Sequence, residues 1–360
     1  MTLYKDITIK NFRGISELKL EGLKSVNVFL GRNNFGKTTI LESVFLLSGM
    51  SNASLPSRVN TFRDPAQSLN PLGQIEYIFH NVQLQNKPTI TGILTDKQYR
   101  SMCISLSDTK TIQGPIVRNG MLMSSEQKVK AICLSINSDY GTINSDGKIV
   151  NKRSFKCDFC TYENGQYSQD NVKGYQEFLS AQYIASDTSA FQISDELSSL
   201  IRANRKDDVL ELVRLFDSKI TNVEVLPDST YIAFDGVDKL IPISMCGDGL
   251  KKFLYIISCV AGRKNKVLLI DEIDNGIHFS VYPLLWKSII RLAKQNEIQL
   301  MITTHSKEVL QELANSLDTE NENDVCVYTI TKNNDDIMHS YRYDGESIKT
   351  AIYNQLELRD

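Results

Sequence analysis

No run of apolar residues in this 360-residue chain is long enough to span a bilayer, and its N-terminus lacks the apolar core of a secretory leader. Neither membrane insertion nor export is therefore expected, and a cytoplasmic location is. A strong charge of one sign is also lacking. The net charge is −3, so no global basic field advertises nucleic acid. The local basic stretches at 148–156 and 262–266 read as solvated faces or turns. Cysteine is sparse and odd in number, seven in all and scattered, which argues against a disulfide framework. Cys157 and Cys160 have the spacing of a metal pair. A structural zinc needs four ligands, however, and the only histidines, His80, His278, His305 and His339, form no second pair. Free thiols are the expectation there. No repeat or low-complexity tract is evident, and a hydrophobic share of 41% is that of a globular protein able to bury a proper core.

Four short motifs in one order carry the chemistry. Gly31-Arg32-Asn33-Asn34-Phe35-Gly36-Lys37-Thr38 fits the phosphate-loop pattern GxxxxGK[ST]. An apolar run (26–30) leads into it and a helical pattern (39–47) leads out, which is the context such a loop requires. Its backbone N–H groups would cradle phosphate oxygens, with Lys37 on the β- and γ-phosphates and Thr38 on Mg²⁺. Farther on come Gly247-Asp248-Gly249, then Val267-Leu268-Leu269-Ile270-Asp271-Glu272, then Thr303-Thr304-His305-Ser306. The third is a buried-strand signal ending in two carboxylates, delivered by a parallel sheet to the edge that carries the phosphate loop. Asp271 would join the Mg²⁺ shell, and Glu272 would orient or deprotonate the attacking water. His305 ends another apolar strand and can hydrogen-bond a γ-phosphate. Each piece also has a plain alternative: an Asp-Glu pair can be a helix cap, and a lone histidine can be structural.

These residues resemble a family. Ile7-Thr8-Ile9-Lys10-Asn11-Phe12-Arg13-Gly14 followed by the phosphate loop resembles the start of the ABC-type ATPase heads of the SMC and RecF group. Met245-Cys246-Gly247-Asp248-Gly249-Leu250 and Asp271-Glu272-Ile273-Asp274-Asn275-Gly276-Ile277-His278 resemble the OLD-like AAA ATPase branch, which includes the ATPase subunits of PARIS-like anti-phage systems. The resemblance is strong at 1–50 and 240–306, extends to 180–240 and is weak between 50 and 180. It implies an α/β fold, an ABC-type P-loop ATPase head with a mixed sheet and flanking helices. It implies ATP and Mg²⁺ as cofactors, contacted by Gly31, Asn33, Asn34, Gly36, Lys37, Thr38 and Thr39. Arg13 matches a nucleotide-contacting arginine of such heads, or is an exposed strand-end side chain. Arg63 is a candidate phosphate sensor, and no Q-loop glutamine can be placed. His278 falls where the D-loop would run.

In ABC heads the helix after the signature points its N-terminus at the γ-phosphate held by the other protomer, so ATP joins two heads. Here that helix spans 250–261, and Gly247 and Gly249 would supply backbone N–H groups in place of the absent signature serine. The alternative is a tight turn before a core helix.

The organisation follows. Residues 1–95 and 186–335 are expected to form the head, 96–185 a compact β-rich insertion without the heptads of SMC coiled coils, and 336–360 a tail. Hairpins are expected at 137–141 and 145–147, strands through 74–106 and a long loop at 51–71. The resemblance implies a homodimer or larger homo-oligomer controlling a separate effector, a Toprim-type nuclease, in phage defence. The stretch 306–360 is too short to hold a Toprim fold itself. A RecF-like ATPase in DNA repair, with DNA as partner, is the alternative.

Overall fold

The computed structural model describes residues 3–32, 34–63, 74–113, 116–118, 121–123, 128–162, 167–185, 190–262, 266–333 and 337–358. The chain opens with strands β1 (Tyr4–Phe12), β2 (Ile15–Leu20) and β3 (Val26–Leu30), helices α1 (Lys37–Ser48) and α2 (Leu55–Thr61), and strand β4 (Thr89–Leu94). Seven strands follow: β5 (Gln98–Gln113), β6 (Ile116–Arg118), β7 (Met121–Met123), β8 (Lys128–Ile143), β9 (Ile149–Tyr162), β10 (Tyr167–Gln169) and β11 (Ser180–Ile184). Helices α3 (Ala190–Arg202) and α4 (Lys206–Phe216) lead to β12 (Ile220–Val225), β13 (Thr230–Phe234) and β14 (Ile241–Pro242). Then come α5 (Asp248–Gly262), β15 (Lys266–Ile270), α6 (Tyr282–Asn296), β16 (Gln299–Thr303), α7 (Lys307–Ser316), β17 (Val325–Lys332), β18 (Met338–Asp344) and α8 (Gly345–Tyr353).

Two large sheets result. The first has the order β11-β15-β16-β3-β17-β18, parallel except for the edge strand β18. The second, β10-β9-β8-β5-β4-β1-β2, is antiparallel throughout. The central parallel strands read as unbroken apolar runs because both their faces are covered. Alternate residues of β3 show it. Val26, Val28 and Leu30 join the core under α3 to α7, whereas Phe29 joins the core between the two sheets. Helix α1 lies in that second core, and every residue from Thr39 to Ser48 is buried. A helix sandwiched in this way carries no polar stripe.

The fold is thus the expected α/β mixed sheet with flanking helices, and the strands of 98–169 are the expected β-rich segment. They add to the sheet begun by β1, β2 and β4. Among the described residues the longest helices, α5 and α6, have 15 residues each, and no helix is long and apolar enough to cross a membrane.

Several local expectations are corrected. The loop expected at 51–71 contains α2, started by Pro56 in its first turn, where a missing N–H costs nothing; residues 64–73 lie outside the described set. Residues 75–78 and 80–82 form 3₁₀ turns rather than strand. The turn-like residues 137–141 sit inside β8. The β8–β9 register shifts between Tyr140 and Thr142, and a Cβ on Gly141 would press 2.8 Å from the Val150 carbonyl oxygen. That glycine marks a bulge with close backbone approach. The hairpin signal at 145–147 does fall between β8 and β9. Cys160 is not a free thiol: it pairs in register with Cys133 across β8 and β9 and forms a disulfide, while Cys157 stays free and buried. A cross-strand partner 27 residues away leaves no spacing signature.

Candidate functional site

Three parallel strands, β3, β15 and β16, end at one edge, with Thr303 opposite Phe29 and Ile302 opposite Ile270. The turns that follow them meet in a cleft of about 460 Å³, lined among others by Asn34, Gly36, Lys37, Thr38, Thr39, Arg13, Arg63, Asp271, Glu272 and Thr303. Gly31 leaves β3 with φ of 144°, and a Cβ there would run into the Ile330 carbonyl oxygen of β17. Only glycine fits. Asn34 (φ 67°) and Gly36 (φ 76°) turn left-handed, which aims successive N–H groups inward before α1 starts. Asn33 lies outside the described residues.

Lys37 is 9% exposed, and its Nζ donates to the carbonyls of Gly31 (2.8 Å) and Arg32 (3.0 Å). Burial lowers its pKa; Glu272, Asp271 and Asp274 oppose that and favour the charged form. Opposite it, Asp271 gathers hydroxyls. Thr38 Oγ1 lies 3.2 and 3.1 Å from its Oδ1 and Oδ2, Thr303 donates to Oδ1 at 2.6 Å, and Tyr183 donates to Oδ2 at 2.8 Å. A hydroxyl and a carboxylate are hard oxygen donors that suit Mg²⁺, which takes one or two carboxylates and completes its shell with water and phosphate oxygens. The donor set therefore fits the metal.

Glu272 lines the same cleft in a left-handed conformation, φ 46°, uncommon for a residue with a side chain. Its amide donates to Thr303 Oγ1 (2.8 Å), and its carbonyl accepts from Lys252 Nζ of α5 (2.7 Å). Lys252 is 3% exposed, and burial brings its pKa down to about 8 against the pull of Asp274, Glu272 and Asp271.

Arg13 is no exposed strand-end residue. Its side chain is 10% exposed, and Nε pairs with Glu42 at 2.7 Å while Nη2 donates to Asn60 Oδ1 at 2.9 Å. Arg63 donates to the other side of Glu42 (Nε to Oε1, 2.7 Å) and to Thr39 Oγ1 (3.2 Å). Two guanidiniums thus converge at the cleft on one fully buried carboxylate.

Other candidates stand apart. His305 lies in a neighbouring cavity with Nδ1 3.3 Å from Asp274 Oδ2. Gly247 and Gly249 sit at the start of α5 outside the Lys37 cleft, and a Cβ on Gly249 would come within 3.3 Å of the Gly276 carbonyl oxygen. His278 is exposed and accepts from the Ser280 amide. The reading by motif missed Tyr183, Lys252 and the part played by Thr303. Lys252 did leave a signal, an ionisable group on an apolar helix; Tyr183 left none.

Residues 154–311 match the family described as "AAA domain, putative AbiEii toxin, Type IV TA system". An ATP/GTP phosphatase of Helicobacter pylori is 23% identical over 373 aligned residues, covering 99% of this chain and 100% of that protein. The DNA replication and repair protein RecF of Lactococcus lactis subsp. cremoris is 33% identical over 81 residues, 22% of this chain and 23% of RecF. An Smc head domain with an extended coiled coil, solved bound to the C-terminal domain of ScpA from Pyrococcus furiosus, aligns at a TM-score of 0.48 and 10% identity over 99% of this chain and 100% of that one. The sequence similarities, joined to the cleft's geometry, support a P-loop ATPase.

Proposed function

We propose that the chain binds and hydrolyses ATP with Mg²⁺, and that it works as an oligomerising switch on a separate effector. The observation that carries the reading is the cleft in which Lys37, Thr38, Asp271 and Glu272 converge from the ends of β3 and β15. Lys37 would place a positive charge on the β- and γ-phosphates. Thr38 and Asp271 would hold the metal, which neutralises developing phosphate charge when bound, and Glu272 would take the proton of the attacking water. Arg13, Asn34, Gly36 and Thr39 line the phosphate side. His305, held by Asp274 in the neighbouring cavity, would contact the γ-phosphate.

Gly247 and Gly249 start an apolar helix whose N-terminus lies outside the Lys37 cleft, which fits a contact to nucleotide on a second copy. The effector remains a Toprim-type nuclease in phage defence, resting on the motif resemblance and in keeping with a matched family described by a toxin–antitoxin system. The similarity to RecF favours a second reading, an ATP-dependent DNA-binding head in repair.

The test is ATP turnover by the purified chain and by Lys37→Ala, together with salt-dependent DNA binding with ATP present. Turnover that Lys37→Ala abolishes upholds the ATPase. DNA affinity falling steeply with salt would favour the repair reading.

A further inference from the structure

Tyr183 lies near the end of β11, opposite Leu269 of β15, and so reaches the same strand edge as Asp271. Its ring is stacked on Phe62, with centroids 4.2 Å apart and planes at 7°. Phe62 in turn meets Phe45 of α1 edge-on at 5.0 Å. The two stacked rings line a cavity of about 540 Å³, while Arg63 and Asp271 line the nucleotide cleft.

With Thr303 on Oδ1 and Tyr183 on Oδ2, the carboxylate of Asp271 is held from both sides. We propose that Tyr183 is a positioning residue for the divalent-metal site, orienting Asp271 through its hydroxyl and held in place by its stack on Phe62. The inference rests on the reading of the cleft as a Mg²⁺–ATP site. Hydrogen bonds of this kind fix the rotamer of a metal ligand, and losing one typically weakens metal affinity 10- to 100-fold.

The experiment uses Tyr183→Phe, which keeps the ring and the stack and removes only the hydroxyl. Mn²⁺ is titrated by electron paramagnetic resonance in the presence of a non-hydrolysable ATP analogue, and nucleotide affinity is measured separately in EDTA. Tyr183→Phe should weaken Mn²⁺ binding about tenfold and leave metal-free nucleotide affinity unchanged. Phe62→Leu, which keeps the hydroxyl but removes the stack, should weaken Mn²⁺ binding in the same direction. Wild-type Mn²⁺ affinity in Tyr183→Phe overturns the inference, as does an equal loss of metal-free nucleotide binding. Wild-type affinity in Phe62→Leu overturns the part played by the stack. A wild-type chain that binds no nucleotide overturns the ATPase reading itself, a different result from any of these.

Discussion

Glu42 shows how much a single side chain is asked to do here: fully buried, it pairs with Arg13 and Arg63 at once. Arg63 is 45% exposed and can turn to water if its partner is lost, but Arg13 at 10% cannot. Glu42→Ala should therefore destabilise the chain by about 3 kcal/mol, read as a lowered urea midpoint, because it strands a buried charge. Adding Arg13→Met should restore much of the loss. Lys252 gives a pH dependence. Its folded pKa of about 8 lies below the ordinary lysine value, so the unfolded chain takes up its proton first as pH falls. This group thus penalises the fold below pH 8, and the penalty fades as pH rises toward 10.5. Wild type should gain stability relative to Lys252→Met across that window. A constant difference from pH 7 to 10.5 would contradict the assignment. Lys37, Thr38, Asp271 and Glu272 were legible because motif spacing fixes them on one strand edge. Tyr183 was not, because its place depends on β11 pairing with β15, a long-range choice invisible along the chain.

At the scale of elements, what could be read followed from local period and punctuation. The strand at 26–30 and the helical pattern at 39–47 each have an apolar run bounded by a glycine. The long antiparallel strands broke that rule. Gly141 looks like a turn and is a bulge, since pairing with β9 outweighs local turn preference. The start of α5 gives a test of its own. Gly249→Asp would place a carboxylate at a helix N-terminus proposed to face a second copy's γ-phosphate, and should abolish ATP-dependent pairing in light scattering. The nearby Gly276 carbonyl leaves 3.3 Å for the new Cβ, so circular dichroism must show the fold intact. Pairing like wild type would favour a plain turn.

For the whole molecule, both large sheets reach the Lys37 cleft, Arg13 and Gly14 coming from the turn between β1 and β2 and Asp271 from the end of β15. A chain that works through a separate effector should hydrolyse ATP alone and leave DNA and RNA intact with Mg²⁺ or Mn²⁺. Cleavage that persists through further purification and is lost in Lys37→Ala would overturn that division of labour. The central claim is that Glu272 is the catalytic carboxylate of a Mg²⁺–ATP site, and Glu272→Gln tests it most directly. Its amide keeps the shape but cannot accept the water's proton. Single-turnover hydrolysis should fall at least about 100-fold while ATP stays bound with wild-type affinity. Hydrolysis by Glu272→Gln at the wild-type rate would contradict the account.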